Sequence, residues 1–344
     1  MAAYTTIDNP ELYFQTKLYT GDGTTSNAET FDGDEDMQPD MIWFKRRSGS
    51  ANHFLYDSIR GANRSLVPND TDAEATSGEQ TTYLASFNSD GFTLGDDVNN
   101  INASNETYVA WAWKESADAG FDIITYSGTG SAKNESHSLS ATPHWILTKC
   151  RSDAQSWATH HRSYSATEKV LYLNNTNALA STDPDWLTAV SSSTISLGGS
   201  GSDANVSGRT YVAYLWSEKQ GFSKFGSFVA NNQSGTDGTF VYLGFKARWF
   251  MWKNTTTGDS TFDHWNLIDT KRQTYNGNTA DGYVQADAAT AETSFSGNGL
   301  SVFANGVQIS QGGRYHSESG STYIYAAFAE APFVNSNGVP CNAR

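Results

Sequence analysis

Met41-Ile42-Trp43-Phe44-Lys45, Trp145-Ile146-Leu147-Thr148-Lys149 and Trp249-Phe250-Met251-Trp252-Lys253 are three short apolar segments, each closed by a lysine. The lysines stand 104 residues apart, from 45 to 149 and again from 149 to 253. A second set follows them: Tyr108-Val109-Ala110-Trp111-Ala112-Trp113, Tyr211-Val212-Ala213-Tyr214-Leu215-Trp216 and Tyr323-Ile324-Tyr325-Ala326-Ala327-Phe328. Its last aromatic lies 68, 67 and 75 residues beyond the lysine of its own copy. Matched blocks in one order at near-constant spacing identify an internal repeat, which has to be recognised before any other reading of the chain.

Further blocks complete the unit. Each copy opens on an aromatic strand, Tyr13-Phe14-Gln15-Thr16, Gly120-Phe121-Asp122-Ile123 and Gly221-Phe222-Ser223-Lys224. After the lysine come Phe54-Leu55-Tyr56-Asp57, Trp157-Ala158-Thr159-His160 and His264-Trp265-Asn266-Leu267. Before the closing strand come Gly91-Phe92-Thr93-Leu94-Gly95, Ser193-Thr194-Ile195-Ser196-Leu197-Gly198 and Gly299-Leu300-Ser301-Val302-Phe303. Every block is a short apolar run or alternates apolar with polar residues, and Gly, Ser, Asn and Asp clusters bound it, as for strands. The best helical candidate, residues 70–79, has almost no apolar face and reads as a loop. The expected fold is therefore all-β, with three tandem β-sandwich domains of jelly-roll type at residues 1–116, 117–219 and 220–331, and a C-terminal arm at 332–344. A unit of this length buries its own core, so the copies read as beads and not as solenoid turns. The linkers 115–119 and 217–220 are short enough to impose a fixed arrangement with pseudo-threefold symmetry.

Composition agrees with this class. The 344 residues include 17 Tyr, 18 Phe and 10 Trp, enough aromatic surface to exclude a disordered chain. Only 17% are charged, and the balance of 37 acidic against 22 basic residues gives a net charge of -15. An acidic surface favours solubility and disfavours nucleic acid and anionic membranes. No run approaches the roughly 18 apolar residues of a membrane span, and the first residues lack the pattern of a secretory signal. The expected place of synthesis is a cytosol, so the Asn-x-Ser/Thr triplets at Asn69, Asn105, Asn205 and Asn254 read as chance. Cys150 and Cys341 are expected to be free thiols.

Candidate chemistry is sparse. The adjacent His160 and His161 would point to opposite faces of a strand and so could not share a metal. The acidic loop Asp32-Gly33-Asp34-Glu35-Asp36 has hard oxygen donors suited to calcium, but lacks the closing Glu of an EF-hand and has no counterpart in the later copies. No nucleophile elbow, phosphate loop or zinc spacing is present, so no catalytic, cofactor or metal residue is assigned. Trp43, Trp111, Trp113, Trp145, Trp216, Trp249 and Trp252 could stack on sugars, but their recurrence in strands favours the core. Arg46, Arg47 and Arg60 form the one notable basic group, expected to be solvated or paired with carboxylates. Four loops not shared between copies, at 32–36, 63–80, 198–208 and 305–320, are where partner contacts are expected.

The order Phe14-Gln15-Thr16, Tyr19-Thr20-Gly21, Pro39-Asp40-Met41-Ile42-Trp43-Phe44-Lys45, Tyr56-Asp57-Ser58-Ile59-Arg60-Gly61, Phe87-Asn88-Ser89-Asp90-Gly91-Phe92 and Tyr108 to Lys114 resembles a domain of marine bacteriophage virion proteins. The ending Ala331-Pro332-Phe333-Val334-Asn335 with Asn342-Ala343-Arg344 is similar to the termini of such proteins. The first copy matches best, the second loses the Tyr-Asp-Ser-Ile-Arg-Gly block, and the third is more degenerate. The resemblance implies a concanavalin-like sandwich in a tail-fibre-like or head-decoration protein. It further implies a location in the virion, other virion proteins as partners, and a homo-oligomer, with a trimer as the guess for a fibre. Two alternatives are a receptor-binding lectin for host-surface glycans and, behind it, a polysaccharide depolymerase.

Overall fold

The computed structural model describes residues 4–78, 82–95, 100–167, 169–179, 186–199, 204–234, 237–272, 282–295, 299–309 and 318–341. Among them there is no α-helix. After a 3-10 turn at Pro10–Leu12, the first repeat supplies β1 (Phe14–Thr20), β2 (Asn27–Glu29), β3 (Met41–Arg46), β4 (Phe54–Asp57), β5 (Leu84–Asn88), β6 (Gly91–Leu94) and β7 (Thr107–Trp113). The second supplies β8 (Phe121–Ser127), β9 (Lys133–Ser136), β10 (Trp145–Cys150), β11 (Ala158–His161), β12 (Leu171–Tyr172), β13 (Ala189–Val190), β14 (Thr194–Leu197) and β15 (Thr210–Trp216). The third supplies β16 (Ser223–Val229), β17 (Thr239–Tyr242), β18 (Phe245–Asn254), β19 (Asn266–Asp269), β20 (Gly282–Gln285), β21 (Thr293–Ser294), β22 (Leu300–Phe303), β23 (Gly306–Ile309) and β24 (Thr322–Pro332).

All strand pairings are antiparallel and each repeat forms two sheets. The larger sheets run β1-β7-β3-β4, β8-β15-β10-β11-β12 and β16-β24-β18-β19-β20-β21. Each packs against a three-stranded sheet, β2-β6-β5, β9-β14-β13 or β17-β23-β22, in a β-sandwich-like pair. Among the described residues no helix is long and apolar enough to cross a membrane.

Side chains alternate between the two faces of a strand. Ile42 and Phe44, Ile146, and Phe250 and Trp252 face the three-stranded partner of their own repeat. Met41 and Trp43, Trp145 and Leu147, and Trp249 and Met251 face the other way, into one cluster to which all three large sheets contribute. Antiparallel sheets usually solvate one face. Here both faces are buried, so β3, β10 and β18 read as unbroken apolar runs. The shared cluster is aromatic at its centre: the Trp113 ring lies 6.3 Å from Trp216, 5.8 Å from Trp249 and 5.5 Å from Phe328. The expectation of beads with separate cores is corrected by this fourth core.

Register corrects three sequence correspondences. Phe44 pairs with Phe54, Thr148 with Ala158 and Trp252 with Asn266, so residues 54, 158 and 266 are equivalent, and so are 57, 161 and 269. Phe14, Phe121 and Ser223 pair with Trp113, Trp216 and Phe328, which shifts the opening of the third copy by one residue. The strand equivalent to β6 is β23, the central strand of its sheet, and not β22. Gly91 and Gly306 mark it, because a Cβ at either would meet the carbonyl of Glu29 or Val241 at 2.1 and 2.3 Å.

The C-terminal arm folds back on itself. Val334 bridges Pro340, Cys341 donates its N–H to Phe333 O, and the Ser336 N–H donates to Asp8 at 2.6 Å. The arm is a small hairpin on the N-terminal segment as far as Cys341. Cys150 is buried and Cys341 exposed, both free.

Candidate functional site

The polar chemistry of the chain concentrates where one repeat meets the next. The lysines ending the three deciding segments are all fully buried. Lys149 Nζ donates to Gln155 O of its own repeat and to Thr71 O of the first, at 2.8 and 3.0 Å. Lys253 Nζ donates to Asn254 O and to Thr176 O of the second, at 2.7 and 3.0 Å. Lys45 Nζ donates to Ala51 O and to Ala289 O of the third, at 2.7 and 3.2 Å. Each lysine therefore grips the repeat behind it, and the first grips the third. Three equivalent steps that return to their start make a closed ring with pseudo-threefold symmetry.

The gripped segment has its own internal pattern. Asn69, Asn174 and Asp287 accept the N–H of His53, Trp157 and Trp265 in their own repeats. Two residues earlier, the carbonyls of Val67, Tyr172 and Gln285 accept a ring N–H from the following repeat: Trp157 at 2.9 Å, Trp265 at 3.0 Å and His53 at 3.0 Å. His53 fits this role as the Nε2–H tautomer, since its Nδ1 accepts from Trp43 Nε1. Two residues later stand the carbonyls bound by lysine. Five residues later Glu74, Leu179 and Glu292 donate their N–H to the carbonyls of Arg151, Thr255 and Arg47.

Side chains at equivalent positions divide the seams into two kinds. Between the first and second repeats, Asp57 takes Arg60 Nε and the Tyr214 hydroxyl, while Glu74 bridges Arg60 and Arg151. Between the third and first, Asp269 takes Arg272 Nε and Trp111 Nε1, while Glu292 lies between Arg47 and Arg272. Between the second and third, the same five places hold His161, Tyr164, Leu179, Thr255 and Ala326. There is no aromatic donor at Ala326, and His161 Nε2–H donates to Tyr325 O at 3.0 Å. The five positions change together because a buried carboxylate without its cations costs several kcal/mol. Burial opposes the charge of Glu74, yet its bonds to Arg151 and Arg60 keep its carboxyl below the ordinary glutamate value.

The residues singled out in the sequence fall as follows. All ten tryptophans are at most 2% exposed, so they are core and offer no stacking face. Arg46 and Arg47 pair with Glu106 and Glu292, but Arg60 is buried in a seam apart from them. Within the loop 63–80, where partner contacts are expected, residues 67–74 are gripped by the second repeat, while Asn63, Asp72 and residues 76–78 stay exposed. The third repeat, read as the most degenerate, keeps the Asp-x-x-Arg pair as Asp269 and Arg272. Asp34, Glu35 and Asp36 are exposed, and Asp32 pairs with Lys271 at 3.0 Å. Among the described residues no three His, Cys, Asp or Glu side chains are grouped to hold a metal. Asn205, Asn254 and the unpredicted Asn102 are buried and hold turns. Residues 200–203 and 310–317, with His316, lie outside the described residues.

Burial sets the acid–base behaviour. His53, His137, His144, His160 and His161 are all held below the ordinary histidine value by burial, His160 to about 4 and His161 to about 3. The unfolded chain takes up protons below about pH 6.5 that the folded chain refuses, so stability should fall as pH drops from there towards 4. Burial likewise lowers Lys45 to about 7 and Lys253 to about 8. Between those values and the ordinary lysine value of about 10.4 only the unfolded chain is protonated, so stability should rise across that window. Denaturant midpoints measured across pH check both limbs. Lys45→Met should flatten the alkaline limb, and an unchanged rise in that variant would contradict the assignment.

These features define an all-β protein of three sandwich-like sheet pairs closed into one ring, with most of its buried ionisable groups at the seams. The family described as a domain of unknown function (DUF7483) matches residues 9–332, from the first 3-10 turn to the end of β24, and the chain belongs to that family. No curated protein and no solved structure matches.

Proposed function

We propose that this chain is a non-enzymatic structural protein of a bacteriophage virion, built from three tandem jelly-roll or concanavalin-like domains and acting through its surfaces on the tail or capsid. The observation that carries the reading is the closed ring. A single chain with three seams built on one backbone pattern presents three outward faces in pseudo-threefold array, which suits docking at a threefold or pseudo-threefold position in a symmetric particle. Polar groups that an enzyme would expose in a cleft are here committed to joining repeats. The resemblance of the first repeat to virion proteins supplies the particle. The test is electron cryo-microscopy, with peptide mass spectrometry, of purified particles from the phage that encodes the chain. The protein is expected in fixed stoichiometry, with density for a three-lobed block. Its absence from particles, together with its presence in the soluble lysate, would overturn the reading.

A further inference from the structure

The three repeats serve as controls for one another, and one outward face departs from its two counterparts. In the sheet β17-β23-β22, Val241, Val307, Ile309, Leu300 and Val302 point into the core of the third repeat. The alternate positions, Phe240, Tyr242, Gly306, Gln308, Ser301 and Phe303, form the outer face. Phe240 is 46% and Tyr242 53% exposed. Register equates Phe240 with Ala28 and Asn134, and Tyr242 with Thr30 and Ser136. Two copies thus put small or polar residues where the third puts rings.

The rings are held in place before any ligand arrives. A Cβ at Gly306 would meet Phe240 Cζ at 2.8 Å, so the Phe240 ring lies across the glycine. Phe303 braces it edge-on at 6.0 Å. Lys224 Nζ sits 4.9 Å from the centre of the Tyr242 ring and donates to Tyr242 O. The hydroxyls of Tyr4 and Tyr242 meet above Gly244. No strand of this sheet carries a charged residue; in the equivalent sheets Glu29, Lys133 and Glu135 stand opposite the inward-facing Phe92, Leu197 and Ile195, so the exposed rings, and not charge, set this outer face apart.

We propose that this face binds an uncharged oligosaccharide, its sugar rings stacked on Phe240 and Tyr242 and its hydroxyls served by Ser301. Size selects the occupant. Three strands about 4.8 Å apart and four residues long span about 10 by 13 Å. That is room for two or three sugar rings but well short of the roughly 800 Å² per partner of a stable protein interface. Sugar rings offer apolar C–H faces to aromatic rings and hydroxyls to amide and hydroxyl side chains. The strands of the face carry no charged side chain, and the one cation beside it, Lys224, is already engaged by the Tyr242 ring and carbonyl.

The test uses the full chain. Cellotetraose, maltotetraose, laminaritetraose and xylotetraose, with a hyaluronan tetrasaccharide as the acidic control, are titrated at millimolar concentration by calorimetry and saturation-transfer NMR. At least one neutral sugar should bind, and the double variant Phe240→Asn, Tyr242→Ser, which installs the residues of the second repeat, should lose roughly tenfold or more in affinity with an unchanged melting temperature. If the double variant does not fold, nuclear Overhauser contacts from the Phe240 and Tyr242 rings to sugar protons of the wild-type complex decide the case. Binding of no neutral sugar, binding of the acidic control alone, or full affinity in the folded double variant would each overturn the proposal. So would a concentration-dependent dimer that the double variant dissolves in the absence of sugar binding.

Discussion

Arg60→Met is expected to destabilise the protein by about 3–5 kcal/mol, because it leaves Asp57 buried without a cation, held only by the Tyr214 hydroxyl and the backbone N–H of residue 60, and strips one of two arginines from Glu74. Burial opposes the Arg60 charge, but Asp57, Tyr214 and Glu74 together hold it protonated above the ordinary arginine value. The second-to-third seam shows what a complete exchange should do. Carrying Asp57→His, Arg60→Tyr, Glu74→Leu, Arg151→Thr and Tyr214→Ala together gives the first seam the residues of the second. This set should recover most of what Arg60→Met alone loses. Urea midpoints of the single and fivefold variants measure the difference. If the losses of the five single substitutions simply add up in the combination, the five positions do not act as a set.

Trp113→Ala should cost about 3–5 kcal/mol, the range for removing a large buried aromatic. Its consequence should not stay in the first repeat. Trp113 packs on Phe14 of its own repeat, on Trp216 of the second and on Trp249 and Phe328 of the third. Amide exchange in native conditions should therefore accelerate in β10 and β18 as well as in β3 and β7. Acceleration confined to the first repeat would show that the central cluster does not couple the three.

Much of this architecture is legible in the sequence, and the reason is spacing. Lys45, Lys149 and Lys253 fall 104 residues apart because each closes the same strand and makes the same bond to the repeat behind it. The runs Met41 to Phe44, Trp145 to Leu147 and Trp249 to Trp252 also signal strands buried on both faces, a signal that points to a shared core. What spacing does not report is which repeat a side chain reaches. Thr71 and Glu74 lie in a polar stretch that looks like a free loop, and only the ring shows them spent on the second repeat. Arg60 and Arg272 resemble surface cations for the same reason, since their carboxylates are local but their burial comes from the neighbouring repeat. Phe240 and Tyr242 carry no sequence signal beyond alternation, and their exposure follows from the edge position of β17. The one-residue and two-residue slips in matching blocks arose from aligning aromatic letters, whereas register aligns the carbonyls and amides that pair.

Calorimetry of the intact chain tests the ring most directly. With one core shared by three sheets and three seams closed on themselves, the described strands should unfold in a single transition, with a ratio of calorimetric to van't Hoff enthalpy of about one. Separate transitions, or a ratio near three, would mean that the repeats melt independently and that the seams and the central tryptophans do not bind them into one unit.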